Sequence, residues 1–97
     1  MNAKFKLGQL VATASVAAQM REEPAFDSFV RKCLSRYLRA DWGEMAEEDI
    51  QRNDSALANG DDRIFSSYTN AEHLGWKIWI ITEWDHSATT VLFPSDY

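Results

Sequence analysis

The side chains best suited to chemistry lie in the second half of the chain. Glu83, Asp85 and His86 crowd the end of a hydrophobic run and together offer two carboxylates and an imidazole, the ligand types of a metal-dependent hydrolase; His73 stands apart across a polar stretch. A nuclease-type site built on spaced acids would also want a lysine just after the pair, and none follows. A solvated turn is the plainer account of these three residues. The second candidate is electrostatic. Asp41, Glu44, Glu47, Glu48, Asp49, Asp54, Asp61 and Asp62 follow one another with only Arg52 among them. Carboxylates spaced along a helix can imitate the charge of duplex DNA, about one per 1.7 Å of axis, and so occupy a groove built for phosphates. Glu47, Glu48 and Asp49 also complement the N-terminal end of a helix dipole, and a solvated acidic face is the alternative reading of the whole series.

Other catalytic patterns are missing. Walker loop, Rossmann glycines, HExxH, nucleophile elbow and Ser-His-Asp arrangement cannot be assembled, and none of the four glycines belongs to a phosphate cradle. Cys33 is the one cysteine, which excludes an internal disulfide and a cysteine-based zinc cluster and fits a reducing cytoplasm. No cofactor is expected.

Those candidates must be held by one small core. The chain has 97 residues, 45% of them hydrophobic and 26% charged, the composition of a single folded domain spanning 1–97. Its net charge is −5, and the halves differ: residues 1–39 carry seven basic and three acidic groups, residues 40–97 three basic and twelve acidic. Such a balance disfavours direct nucleic-acid binding and favours a protein partner with a basic surface. Lys4 and Lys6 precede a weakly apolar stretch, but Gly8, Gln9, Thr13 and Ser15 interrupt it, so neither a secretory signal nor a membrane span is expected.

The elements follow from periodicity. A short extended piece over 7–11 precedes a small-residue helix over about 14–21. Pro24 and Asp27 suit the start of a second helix. In it Phe26, Phe29, Val30, Cys33, Leu34, Tyr37 and Leu38 form one apolar stripe, while Arg31, Lys32, Arg36 and Arg39 make the outer face basic. A third helix, from 45 or 46 to 58, is closed by Asn59 and Gly60 and has a thin apolar stripe. Three strands are expected over 63–69, 76–84 and 89–93. Short connections between them predict an antiparallel meander. The fold class is therefore α+β, with two or three N-terminal helices packed on a C-terminal three-stranded antiparallel β-meander. In the middle strand Ile78, Ile80 and Thr82 point one way and Trp79 and Ile81 the other. Trp79 is either covered by another element or part of an exposed patch that could bind a partner or a second copy.

Leu7-Gly8-Gln9, Asp41-Trp42-Gly43, the Glu48 and Asp49 to Asn53 stretch, Ser66-Ser67-Tyr68, and above all KIWIITEWD followed by ATTVLFPSDY carry a resemblance. From about Leu7 to Tyr97 the chain resembles a group of small "plasmid-related" proteins carried by bacterial plasmids, phages and integrative elements. What the resemblance implies is a setting. Small acidic proteins of mobile elements frequently act against host defence by binding restriction or CRISPR effectors. The expected function is thus a stoichiometric protein-binding inhibitor of anti-CRISPR or anti-restriction type, not an enzyme, working in the cytoplasm without membrane contact. Its expected partner-binding residues are Glu44, Glu47, Glu48, Asp54, Asp61, Asp62 and Trp79. The alternatives are an accessory protein of plasmid maintenance or transfer, forming a homodimer through the Trp79 face of the sheet, and the metal-dependent hydrolase at Glu83, Asp85 and His86.

Overall fold

The computed structural model describes residues 5–60, 62–73 and 75–97. Thr13 caps the first helix, its Oγ1 facing the Val16 N–H at 3.5 Å, and α1 runs Ala14–Glu22. Glu23 then leaves helical geometry and Pro24, which lacks the N–H that the first turn cannot use, opens α2, Pro24–Leu38. The predicted stripe turns inward, with Phe26, Phe29, Val30, Cys33 and Tyr37 all buried. Burial also pushes the Cys33 thiol up to about 12, so the sulfur is an inert packing group. α3, Glu47–Asn59, ends where Gly60 takes the left-handed conformation that a glycine tolerates.

The strands are β1 Gln9–Ala12, β2 Ile64–Thr69, β3 Lys77–Thr82 and β4 Ala88–Leu92. β2 pairs antiparallel with β3, and β3 antiparallel with β4, as expected. The expected three-stranded meander is nevertheless incorrect. The sheet has four strands in the order β1-β4-β3-β2, and β1 lies parallel to β4. The α+β class holds; the sheet is mixed. The physical reason lies in the short extended piece near the N-terminus, which has no neighbour in sequence to pair with. Its N–H groups find carbonyls at the far end of the chain instead, Gln9 N–H on Ser87 O and Thr13 N–H on Val91 O, each at 3.0 Å. Gly8 permits that approach: its φ is +66°, and a Cβ there would stand 2.2 Å from the His86 carbonyl oxygen.

Strand alternation divides the sheet into two faces. Ile64, Ser66, Tyr68, Ile78, Ile80, Thr82, Thr89 and Val91 form the buried one, under α1 and α2. A chain of hydroxyls crosses it. Tyr37 Oη lies 2.6 Å from Thr82 Oγ1, Thr82 Oγ1 lies 2.7 Å from Thr89 Oγ1, and Thr89 Oγ1 donates to the Leu7 carbonyl at 2.7 Å. Each hydroxyl has one proton, so the last bond sets the direction of the others: Tyr37 donates to Thr82, Thr82 to Thr89, Thr89 to Leu7. The chain thus ties α2 through β3 and β4 to the residue that leads into β1. Phe65, Trp79, Ile81 and Leu92 belong to the opposite face. No helix among the described residues is long and apolar enough to cross a membrane.

Candidate partner-binding surface

The acidic residues gather around the outer edge of β2. That edge exposes backbone groups that a sheet must satisfy or hide. The segment before α3 meets it first: Ser67 N–H donates to the Trp42 carbonyl at 3.2 Å, and Glu44 N–H donates to the Ser67 carbonyl at 2.7 Å. Gly43 lies between them with φ +77°, so close that a Cβ would be 2.0 Å from Ser67 O. Asn53, 3% exposed on the inner face of α3, takes over the next residue in both directions. Its Nδ2 donates to Phe65 O at 2.6 Å and its Oδ1 accepts from Phe65 N–H at 3.2 Å.

Two expected partner-binding residues take part in this covering. Glu44 accepts a hydrogen bond from Thr69 N–H at 3.0 Å, and Asp54 accepts one from the buried Trp42 indole at 3.0 Å. Glu44 and Asp54 therefore hold structure as well as charge. Glu47, Glu48 and Asp54 are exposed. Seven positions separate Glu47 from Asp54, which puts them within about 20° on the helix surface; Glu48 is about a quarter turn away and Asp49 lies on the opposite flank. The acids form two groups rather than one stripe. One points outward from α3. The other, Glu44, Asp49 and Asp62, lines a cleft of about 430 Å³ together with Arg52, Arg63 and Trp79. Asp62 also accepts from Arg63 N–H at 2.7 Å. Asp61 lies outside the described residues.

Trp79 is half-buried rather than bare. Its ring packs against Phe65 at 4.9 Å and edge-on against Tyr97 at 5.7 Å, while Arg63 donates to the Tyr97 hydroxyl at 3.1 Å. That contact raises the Arg63 pKa further and keeps the guanidinium charged at the rim. The cleft is thus amphoteric with an aromatic floor, and the purely negative surface begins outside it.

Glu83, Asp85 and His86 occupy the turn after β3. Asp85 accepts from Ser87 N–H at 3.0 Å, and the Ser87 contacts hold its carboxyl below the ordinary range. His86 adopts φ +58° and turns its ring against Phe5 at 5.7 Å. Among the described residues no three His, Cys, Asp or Glu side chains come together as a metal-ligand set. The basic face of α2 is partly paired: Arg31 with Asp27 and Arg36 with Asp41, each at 2.8 Å.

Sequence reasoning missed Asn53 and Arg63. Asn53 did leave a signal, because a polar residue stands where the apolar stripe of Ile50 and Leu57 passes. A polar group at such a position needs a partner, and here the partner is the strand edge. A scan against protein-family models, a search of curated proteins and a search of solved structures return no match for this chain.

Proposed function

We propose that the chain is a stoichiometric, non-catalytic protein-binding inhibitor from a mobile genetic element. It acts in the cytoplasm on a basic surface of a host defence complex that processes nucleic acid, of CRISPR or restriction type. One observation carries this reading: among the described residues, Asp41 alone of the acidic series is neutralised by an ion pair. The two ion pairs among the described residues use Asp27 and Asp41, whereas Glu47, Glu48, Asp54 and Asp62 are exposed and join no ion pair. Carboxylates left uncompensated beside a cationic groove raise the on-rate and select against anionic competitors. Fixing Glu44 and Asp54 by hydrogen bonds to neighbouring structure lowers the entropy lost on binding.

The test is capture of the partner on immobilised chain from host lysate, with and without nuclease, followed by mass spectrometry. Wild type is compared with a variant carrying Glu47→Gln, Glu48→Gln, Asp54→Asn and Asp62→Asn. The reading expects a protein complex that survives nuclease and is lost from the variant. Capture that disappears with nuclease, or that the variant retains in full, contradicts it.

A further inference from the structure

The two edges of the sheet are treated differently by the rest of the chain. β2 is covered, whereas β1 has β4 on one side and, among the described residues, no strand on the other. In the parallel ladder Gln9 and Thr13 direct their N–H groups at β4. The alternate residues, Leu10 and Ala12, therefore direct theirs away from the sheet. All four β1 residues are exposed, Leu10 at 51% and Val11 at 39%. β1 is short, four residues, but it lacks the other usual protections of an edge, since it contains no charge, no proline and no bulge.

We propose that β1 pairs antiparallel with β1 of a second copy, joining two sheets into one of eight strands about a two-fold axis at Val11. The geometry is self-complementary. With Val11 opposite Val11 of the second copy, Leu10 faces Ala12 of that copy and Ala12 faces its Leu10. These are the residues whose N–H and C=O groups point outward, so each facing pair exchanges two hydrogen bonds. The two valines then meet as a close, non-hydrogen-bonded pair on one face of the sheet.

Charge selects this occupant. The acidic excess behind the net charge of −5 lies in residues 40–97, whereas residues 7–20 contain no ionisable side chain, so two copies can approach through β1 without like charges meeting. Beyond that neutral stretch the two ends of β1 carry opposite signs. Exposed Lys6 precedes the strand, and Asp96 is bound at the other end by Thr13 Oγ1 at 2.7 Å and Ser15 Oγ at 2.8 Å. Antiparallel pairing brings the Lys6 end of each copy to the Asp96 end of the other.

Sedimentation of the full chain across the micromolar to millimolar range tests the proposal. The expected result is a concentration-dependent doubling of the 11.1 kDa mass, with slower amide exchange at Leu10 and Ala12 as concentration rises. Val11→Lys places two ammonium groups on the axis and is expected to keep the monomer mass and to melt like dilute, monomeric wild type. Ala12→Pro, which removes an outward N–H, is expected to do the same. Under mild oxidation Val11→Cys is expected to give a covalent dimer and Gln9→Cys not, because only the axial residue meets itself at about 4.5 Å, within disulfide range. A wild type that stays monomeric throughout overturns the proposal. So does a Val11→Lys protein that dimerises like wild type, or a Gln9→Cys protein that links as readily as Val11→Cys.

Discussion

The outer edges of the sheet use opposite solutions to the same problem. At β2, Asn53 satisfies both backbone groups of Phe65, the Trp42 to Glu44 segment satisfies those of Ser67, and the Glu44 carboxylate takes the Thr69 N–H. At β1 the outward groups of Leu10 and Ala12 are offered to solvent or to another strand. The covered edge is also where the carboxylates accumulate. Charge density and strand protection are thus built from some of the same side chains, and a substitution there changes two properties together. At β1, whose outer side no strand covers among the described residues, a substitution should change association and little else.

The largest effect should come from the tightest point of the covered edge. Gly43→Ala forces a Cβ onto Ser67 O at positive φ and should lower stability by about 3 kcal/mol or abolish folding. A urea midpoint measures it. Asn53→Leu comes next: it leaves the Phe65 N–H and C=O without partners and should cost about 2–3 kcal/mol in the same assay. Glu44→Gln and Asp54→Asn keep an acceptor oxygen while removing charge. Each should stay within about 1 kcal/mol of wild-type stability while weakening partner capture, which separates the two roles of this edge.

The bare edge predicts smaller changes. Thr13, Ser15 and the Phe93 N–H hold the Asp96 carboxyl below its ordinary value of 3.8. A depressed folded-state pKa stabilises the fold above the unfolded value and loses that contribution as pH falls through the folded value. Thermal melts of wild type and Asp96→Asn should therefore differ at neutral pH and converge as pH drops well below 3.8. Val11→Lys, on the exposed strand itself, should change monomer stability by no more than about 0.5 kcal/mol.

How much of this was legible depended on how far apart in sequence the partners lie. Pro24 and the stripe from Phe26 to Leu38 announced α2, and Gly60 closed α3 one residue later than expected, because helix signals are local. β2, β3 and β4 follow one another through short turns, so their antiparallel order was readable. The parallel β1–β4 pair was not, since Gln9 meets Ala88 from the other end of the chain and residues 7–11 read the same whether paired or free. The hydroxyl chain from Tyr37 to Leu7 was hidden for the same reason. At the candidate surface the number of carboxylates was plain, but which of them line the cleft depends on Arg63, Phe65 and Trp79 of the sheet side, which the sequence does not place beside α3. The attachment of Glu44 and Asp54 to Thr69 and Trp42 is likewise a tertiary fact.

The central claim is that exposed carboxylates around α3 capture a cationic protein surface. The direct measurement is the salt dependence of affinity between the purified chain and its captured partner, for wild type and for the Glu47→Gln, Glu48→Gln, Asp54→Asn, Asp62→Asn variant. Wild-type affinity should fall steeply as salt rises, and the variant should bind more weakly with a much flatter dependence. Equal affinities with equal salt slopes would contradict the claim.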